Sequence, residues 1–367
     1  MSKDTKPIRQ GEELNEANLQ TFLSEKLGAQ SGEIAIEQFP GGSSNLTYCV
    51  KIGETEYVLR RPPFGNQVKS AHDMSREFNV LSKLSEVYKP APKPLIYCND
   101  ENVTGAEFYL MERRKGLIIR GKSPTELPAE TRALAIVQTE TLENSPNLRR
   151  KVCESFIENL VELHSLDYKK IGLENLGKPE GYAQRQVEGW TKRYFNAKTD
   201  EHFELEKSIE WLNTNIPESH GATLVHNDYK FDNVMLNPEN LTEIVAVLDW
   251  EMTTIGEPLM DLGSSLAYWM SKESGEEMLS MPFNPRILME NVSRRELVEI
   301  YEEKSGKKVS EMLFYYVFGT FKLAVIAQQI YFRYVKGFTK DTRFATFNHF
   351  VNSLGKIALS GIESGKI

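Results

Sequence analysis

The chain has 367 residues, of which 40% are hydrophobic and 26% charged, and a net charge of −8. That is ordinary globular composition on a chain too long for one compact core, so two lobes are expected. The acidic balance gives no reason to expect nucleic-acid binding, and three scattered cysteines, Cys49, Cys98 and Cys153, argue against a disulfide framework or a zinc site.

After a polar lead, Leu14, Leu19, Phe22 and Leu23 recur at helical spacing and predict an N-terminal helix. Residues 34–36, 46–52 and 56–60 predict strands, the last two joined by a tight turn at Gly53-Glu54. Between the first two strands lies Gly41-Gly42-Ser43-Ser44-Asn45. A glycine turn there can lay backbone N–H groups over phosphate oxygens, because glycine permits close approach and positive φ. Ser43, Ser44 and Asn45 can add further donors.

Arg60, on the returning strand, is permanently charged and able to bind two oxygens at once. Arg61 beside it reads as a surface residue. Met74, Phe78, Leu81 and Leu84 follow a helical period in a segment starting near Ala71, which carries Glu77 as the natural partner of Arg60. Arg76 reads as solvated. Residues 90–94, with three prolines, end that helix. Strands follow at 95–98 and 108–112, and then the charged connector Arg113-Arg114-Lys115-Gly116. The division is accordingly 1–113 and 114–367.

From about residue 126 helices dominate. Val152, Phe156, Ile157, Leu160, Val161 and Leu163 share one broad helical face, and residues 314–331 predict a buried helix. Residues 223–225 predict a short strand ending at His226. Residues 234–236 and 244–248 predict a hairpin around the turn Asn237-Pro238-Glu239-Asn240. The hairpin brings Asn233, at the start of one strand, near Asp249, at the end of the other.

The chemistry concentrates there. In His226-Asn227-Asp228-Tyr229-Lys230-Phe231-Asp232-Asn233, followed by Val247-Leu248-Asp249, Asp228 is placed to accept the proton of an attacking hydroxyl. Asn233 and Asp249 supply two oxygen ligands for Mg²⁺ on nucleotide phosphates. His226 orients the loop.

These segments, with Leu248-Asp249-Trp250-Glu251 running to Gly256-Glu257-Pro258-Leu259-Met260-Asp261, resemble the aminoglycoside phosphotransferase and choline kinase family. They are most similar to the kinase-like domain also found fused to acyl-CoA dehydrogenases. The resemblance covers residues 30 to 340 or so and is most specific around 224–263. It implies an α+β, bilobal, protein-kinase-like fold with a small β-rich N-lobe and a larger, mainly helical C-lobe. Trp250-Glu251 stands where protein kinases carry Phe-Gly, which counts against a protein kinase.

The resemblance further implies that Arg60, held by Glu77, is the ligand of the nucleotide phosphates, that the backbone of Met111, Glu112 and Arg113 reads the adenine edge, and that Lys230 places a cation near the γ-phosphate. Asp261 would brace the catalytic loop, and His164 would act in packing and hydrogen bonding. Gln186, Trp190 and Tyr194 are candidate acceptor contacts. The implied activity is ATP- and Mg²⁺-dependent phosphorylation of a hydroxyl on a small metabolite, with a hydroxyacyl thioester or hydroxy acid as a possible class. The alternatives are an aminoglycoside kinase, a protein kinase and a catalytically silent nucleotide-binding domain. The polar N-terminus and the lack of a long apolar run lead to the expectation of a cytoplasmic protein without membrane partners, a monomer or homodimer.

Overall fold

A computed structural model describes residues 4–28, 33–40, 45–64, 73–120, 141–270, 274–279, 281 and 285–367. Gly41, Gly42, Ser43 and Ser44 of the glycine turn lie outside the described residues, as do 65–72 and 121–140.

The first lobe opens with helix α1 (Glu16–Leu27), capped by Asn15, whose side chain accepts from the Asn18 N–H. Strands β1 (Ile34–Gln38), β2 (Leu46–Ile52), β3 (Thr55–Arg61), β4 (Pro94–Cys98) and β5 (Phe108–Glu112) form one sheet in the order β1-β2-β3-β5-β4. Every neighbouring pair is antiparallel. Tyr48, Val50, Leu59, Phe108 and Leu110 pack from this sheet against Leu19 and Leu23 of α1.

Helix α2 (Met74–Leu84) packs on β4 and β5. Met74, Val80, Leu81 and Leu84 form its buried stripe, and Glu77 falls on that same stripe. A carboxylate in an apolar stripe is costly unless paired, so the helical period itself demands a cation opposite Glu77.

The chain then passes through the short α3 (Glu101–Thr104) and β5 into the second lobe. Leu117 and Leu236 exchange backbone hydrogen bonds of 2.8 Å, fastening the linker to the second lobe. A Cβ at Gly116 would lie 2.4 Å from Met235 Cγ, so only glycine fits that crossing. Helices α4 (Pro146–Ser165), α5 (Tyr182–Ala197) and α6 (Phe203–Thr214) follow. Strands β6 (Thr223–Val225) and β9 (Thr254–Gly256) pair with each other, and β7 (Val234–Asn237) pairs with β8 (Asn240–Val247). The remainder is helical: α7 (Pro258–Ala267), α8 (Glu276–Leu279), α9 (Arg286–Met289), α10 (Arg294–Ser305), α11 (Met312–Val335) and α12 (Phe347–Ser364).

Helix α11 is the buried helix that residues 314–331 predict. By length and composition it is apolar enough to cross a membrane, yet most of it is buried inside the protein. It crosses α7 so closely that a Cβ at Gly263 would lie 2.2 Å from the Tyr315 carbonyl oxygen, and one at Gly319 would lie 2.3 Å from that of Gly263. Gly319→Ala is therefore expected to force the helices apart and destabilise the fold by about 1–3 kcal/mol, measurable by denaturant unfolding.

Candidate active site

A cleft of about 370 Å³ separates the sheet from the helical lobe. Its walls include Asn45, Arg60, Glu77, Met111, Lys230, Asn233 and Asp249.

Arg60 is the buried cation that α2 requires. Its Nη1 lies 2.5 Å from Glu77 Oε1, and its Nη2 lies 3.0 Å from Asp249 Oδ1 and 3.7 Å from Glu251 Oε2. Burial alone would lower its pKa, but the neighbouring anions, Glu77 foremost, outweigh this and hold it well above the ordinary arginine value. Antiparallel pairing of β2 with β3 sets Arg60 opposite Thr47, two residues after Asn45. If the pair acts as a unit, Arg60→Ala and Glu77→Ala should each weaken MgATP binding. The double variant should fall short of the sum by about 0.5–3 kcal/mol in a double-mutant cycle; strict additivity would mean the two act separately.

Two arginines depart from expectation. Arg61 is not a surface residue: its side chain is buried, Nη1 donates to the Thr104 carbonyl at 2.5 Å, and the guanidinium stacks 3.6 Å from the centre of the Phe64 ring. Alternation along β3 sends it to the opposite face from Arg60. Arg76 is not simply solvated: it donates to the backbone carbonyls of Glu251, at 3.0 Å, and Thr253. Helix α2 thus holds both Arg60 and the turn that follows Asp249.

The residues from Asp228 to Asp249 converge as the hairpin demands. Val234 pairs with Val247, and the Leu248 N–H donates to the Asn233 carbonyl at 2.8 Å. Asp249 has φ +70° and ψ +62°, a left-handed conformation that Asp tolerates better than most residues. Asn233 Nδ2 donates to both the carbonyl and Oδ2 of Asp228 at 2.9 Å. Its amide oxygen is therefore the end left to face a cation.

Lys230 Nζ lies 2.6 Å from Asp228 Oδ2, and the Tyr268 hydroxyl donates to Oδ1 at 3.1 Å. Lys230 thus lines the cleft but spends its charge first on Asp228. Asp228 is thus bonded to two residues of the cleft wall, Lys230 and Asn233, and its side chain is 15% exposed.

His226 is buried. Its Nε2–H donates to the Leu248 carbonyl at 3.0 Å and its Nδ1 accepts from the Asp228 N–H at 3.2 Å, which fixes a neutral tautomer. Burial pushes its pKa down. Asp261, in the first turn of α7, accepts the N–H groups of His226 and Asn227 at 2.7 Å each, and His164 Nε2 lies 3.2 Å away. Burial works against the Asp261 charge, but these bonds and the nearby histidines outweigh it and lower its pKa.

Both shifts have the same sign for stability. Below about pH 6.5 an unfolded histidine binds a proton that native His226 resists, and below about pH 3.9 an unfolded aspartate does so before Asp261. Stability is therefore expected to fall on acidification, first below about 6.5 and further below about 4. Thermal melts across pH would show the first stage weakened in His226→Asn.

The remaining expected residues fall into place unevenly. Asn45 is buried and donates to Glu251 Oε2 at 2.8 Å, joining the glycine turn to the segment after Asp249. Met111, Glu112 and Arg113 line the cleft. The Glu112 N–H is already bonded to the Lys93 carbonyl at 2.9 Å, so it cannot also pair with a base. The Arg113 guanidinium turns to Asp4 and Glu56, at 2.6 and 3.2 Å. Tyr194 is fully buried with its hydroxyl on Glu206 at 2.9 Å, so it packs rather than meeting an acceptor. Trp190 is buried as well, its indole N–H on Gln186 at 3.2 Å. Arg76, Tyr268 and Lys322 were not anticipated. Only Lys322 carried a signal, as a lone charge in an apolar helix.

Residues 35–281 match the model of the phosphotransferase enzyme family. The chain belongs to this family. It is 33% identical to acyl-CoA dehydrogenase family member 11 of Rattus norvegicus over 99% of its own length and 45% of that protein. It thus spans less than half the length of such relatives. Among solved structures, a Ralstonia eutropha protein assigned as an aminoglycoside phosphotransferase superposes with a TM-score of 0.75 at 26% identity, covering 96% of this chain and 99% of that one. An aminoglycoside phosphotransferase in ternary complex with ADP and hygromycin B gives a TM-score of 0.58 at 15% identity, covering 94% and 98%. The kinase-like fold is thereby shown: a strand-built first lobe and a mainly helical remainder.

Proposed function

We propose that this chain transfers the γ-phosphoryl group of ATP to a hydroxyl of a small molecule. The observation that carries the proposal is the convergence of Arg60–Glu77, Asn233 and Asp249 on one cleft, with Asp228 bonded to its wall residues Lys230 and Asn233. On this reading residues 1–113 hold the nucleotide and the remainder holds the acceptor.

Asp228 accepts the proton of the acceptor hydroxyl as its oxygen bonds to the γ-phosphorus and the bond to the β-phosphate oxygen breaks, releasing ADP. Tyr268 and Lys230 bind different carboxylate oxygens of Asp228 and fix its plane. Arg60, clamped by Glu77, presents its charge to the phosphates. Most of the rate gain is positioning and electrostatics.

The donor set suits Mg²⁺. Among the described residues no group of three His, Cys, Asp or Glu side chains could hold a metal alone. One carboxylate and one amide oxygen, completed by phosphates and water, is the pattern this ion prefers. Asp249 and Asn233 would hold it, and it would neutralise charge on the phosphates.

The relatives named acyl-CoA dehydrogenases make hydroxylated acyl compounds the first acceptors to try. The test is acceptor-dependent ADP release across hydroxylated metabolites, hydroxyacyl thioesters, aminoglycosides and peptides, with a no-acceptor control. Stimulation by a small hydroxylated acyl compound is expected. Stimulation by peptides alone would overturn the reading.

A further inference from the structure

Lys322 is the single charged residue between Met312 and Tyr331 in α11. It is 5% exposed, and its Nζ donates to the Asn227 carbonyl at 2.5 Å. The close crossing at Gly263 and Gly319, one helical turn earlier, is what lets a side chain of this helix reach the catalytic loop.

Asn227 is the residue before Asp228 and has φ +66°, a left-handed conformation that Asn tolerates better than most residues. Each of its polar groups is held by a different element. Its N–H goes to Asp261 of α7, its side-chain amide donates to the Met252 carbonyl at 3.0 Å, and its side-chain oxygen accepts from the Tyr182 hydroxyl at 3.1 Å. Lys322 takes the last one, the carbonyl of the peptide that leads into Asp228. A neutral donor would satisfy that carbonyl, so burying an ammonium calls for another reason.

We propose that Lys322 is a positioning residue for phosphoryl transfer: its ammonium pins the peptide that leads into Asp228 and sets a positive charge beside the base. The proposal rests on Asp228 being that base. The charges acting on Lys322 are Asp228 and Asp261, which favour its ammonium form, and Lys230 and Arg193, which oppose it. Trp190 presents its ring to Nζ at 5.6 Å. Burial is the largest influence and lowers the Lys322 pKa to about 8. Above that pH the amine still bonds Asn227, but the positive charge is gone. A packing role would not register that change; a charge-based role would.

Two measurements decide it. The first needs no acceptor: NMR of ¹³Cε-labelled lysine in the full chain, with the Lys322 signal assigned by its loss in Lys322→Arg. The signal is expected to titrate near pH 8 and to move lower in Asp228→Asn, which removes a favourable charge. A Lys322 titration that Asp228→Asn leaves unmoved would show that its charge does not act on the base and would overturn the proposal. The second is MgATP turnover from about pH 6 to 10, with the best acceptor found or with water. Wild-type kcat is expected to decline above about 8, Lys322→Arg to postpone the decline, and Lys322→Met to lower kcat about tenfold or more with little change in KM for MgATP. Lys322→Met with wild-type kcat and the same alkaline limb would refute the role. A wild type that binds MgATP but never releases ADP would instead count against phosphoryl transfer itself.

Discussion

Asp228→Asn is expected to cut phosphoryl transfer by on the order of 10²–10⁴, the usual contribution of a general base. The substitution keeps size and shape, and an amide oxygen can still accept from Tyr268 or Asn233. What disappears is the capacity to take a proton and the charge that Lys230 pairs with at 2.6 Å. Because Arg60, Asn233 and Asp249, not Asp228, hold the phosphates and the metal on this reading, MgATP affinity should change only a few-fold. Single-turnover kinetics with an identified acceptor, alongside nucleotide titration, separates the two effects. Near wild-type turnover would remove Asp228 from the mechanism, whereas parallel loss of turnover and nucleotide binding would point to a collapsed loop.

The parts of this site that were legible in the sequence are those fixed by short-range periodicity. The hairpin of β7 and β8 follows from two apolar runs around Asn-Pro-Glu-Asn, and its register alone brings Asn233 to Asp249. Glu77 was legible because α2 has a clean helical period. What sequence could not show is contact between elements far apart in the chain. Arg76 reads as solvent-facing on α2, and only the packing of that helix against the turn after Asp249 reveals its carbonyl partners. Arg61 reads as a strand-end surface residue because its partner, the Thr104 carbonyl, sits 43 positions away. Tyr268, just past the end of α7, and Lys322 of α11 reach Asp228 and Asn227 from 40 and 95 residues downstream. Strand β9 is three residues long and pairs only with β6, too short a stretch for alternation to register.

Asp249→Asn should produce the opposite pattern to Asp228→Asn, losing Mg²⁺-dependent nucleotide binding and turnover together. Asn is the right probe because Asp249 is left-handed, at φ +70°. Asn tolerates that conformation, whereas alanine would add about 1–2 kcal/mol of backbone strain and blur the result. The backbone around the position is held independently, by the Leu248 N–H on Asn233 and the Leu248 carbonyl on His226. Arg60 keeps Glu77 at 2.5 Å and Glu251 at 3.7 Å, so the cation stays in place. The change therefore isolates one negative charge at the cleft. Loss of even an indirect support of a metal ligand costs about 10–100-fold in affinity, and a direct carboxylate ligand should cost at least that. Calorimetric titration of ATP with and without Mg²⁺ reads the difference directly: in the wild type Mg²⁺ should strengthen binding, and in Asp249→Asn that gain should largely vanish while metal-free binding holds. An undiminished Mg²⁺ effect would leave Asp249 as a partner of Arg60 and nothing more.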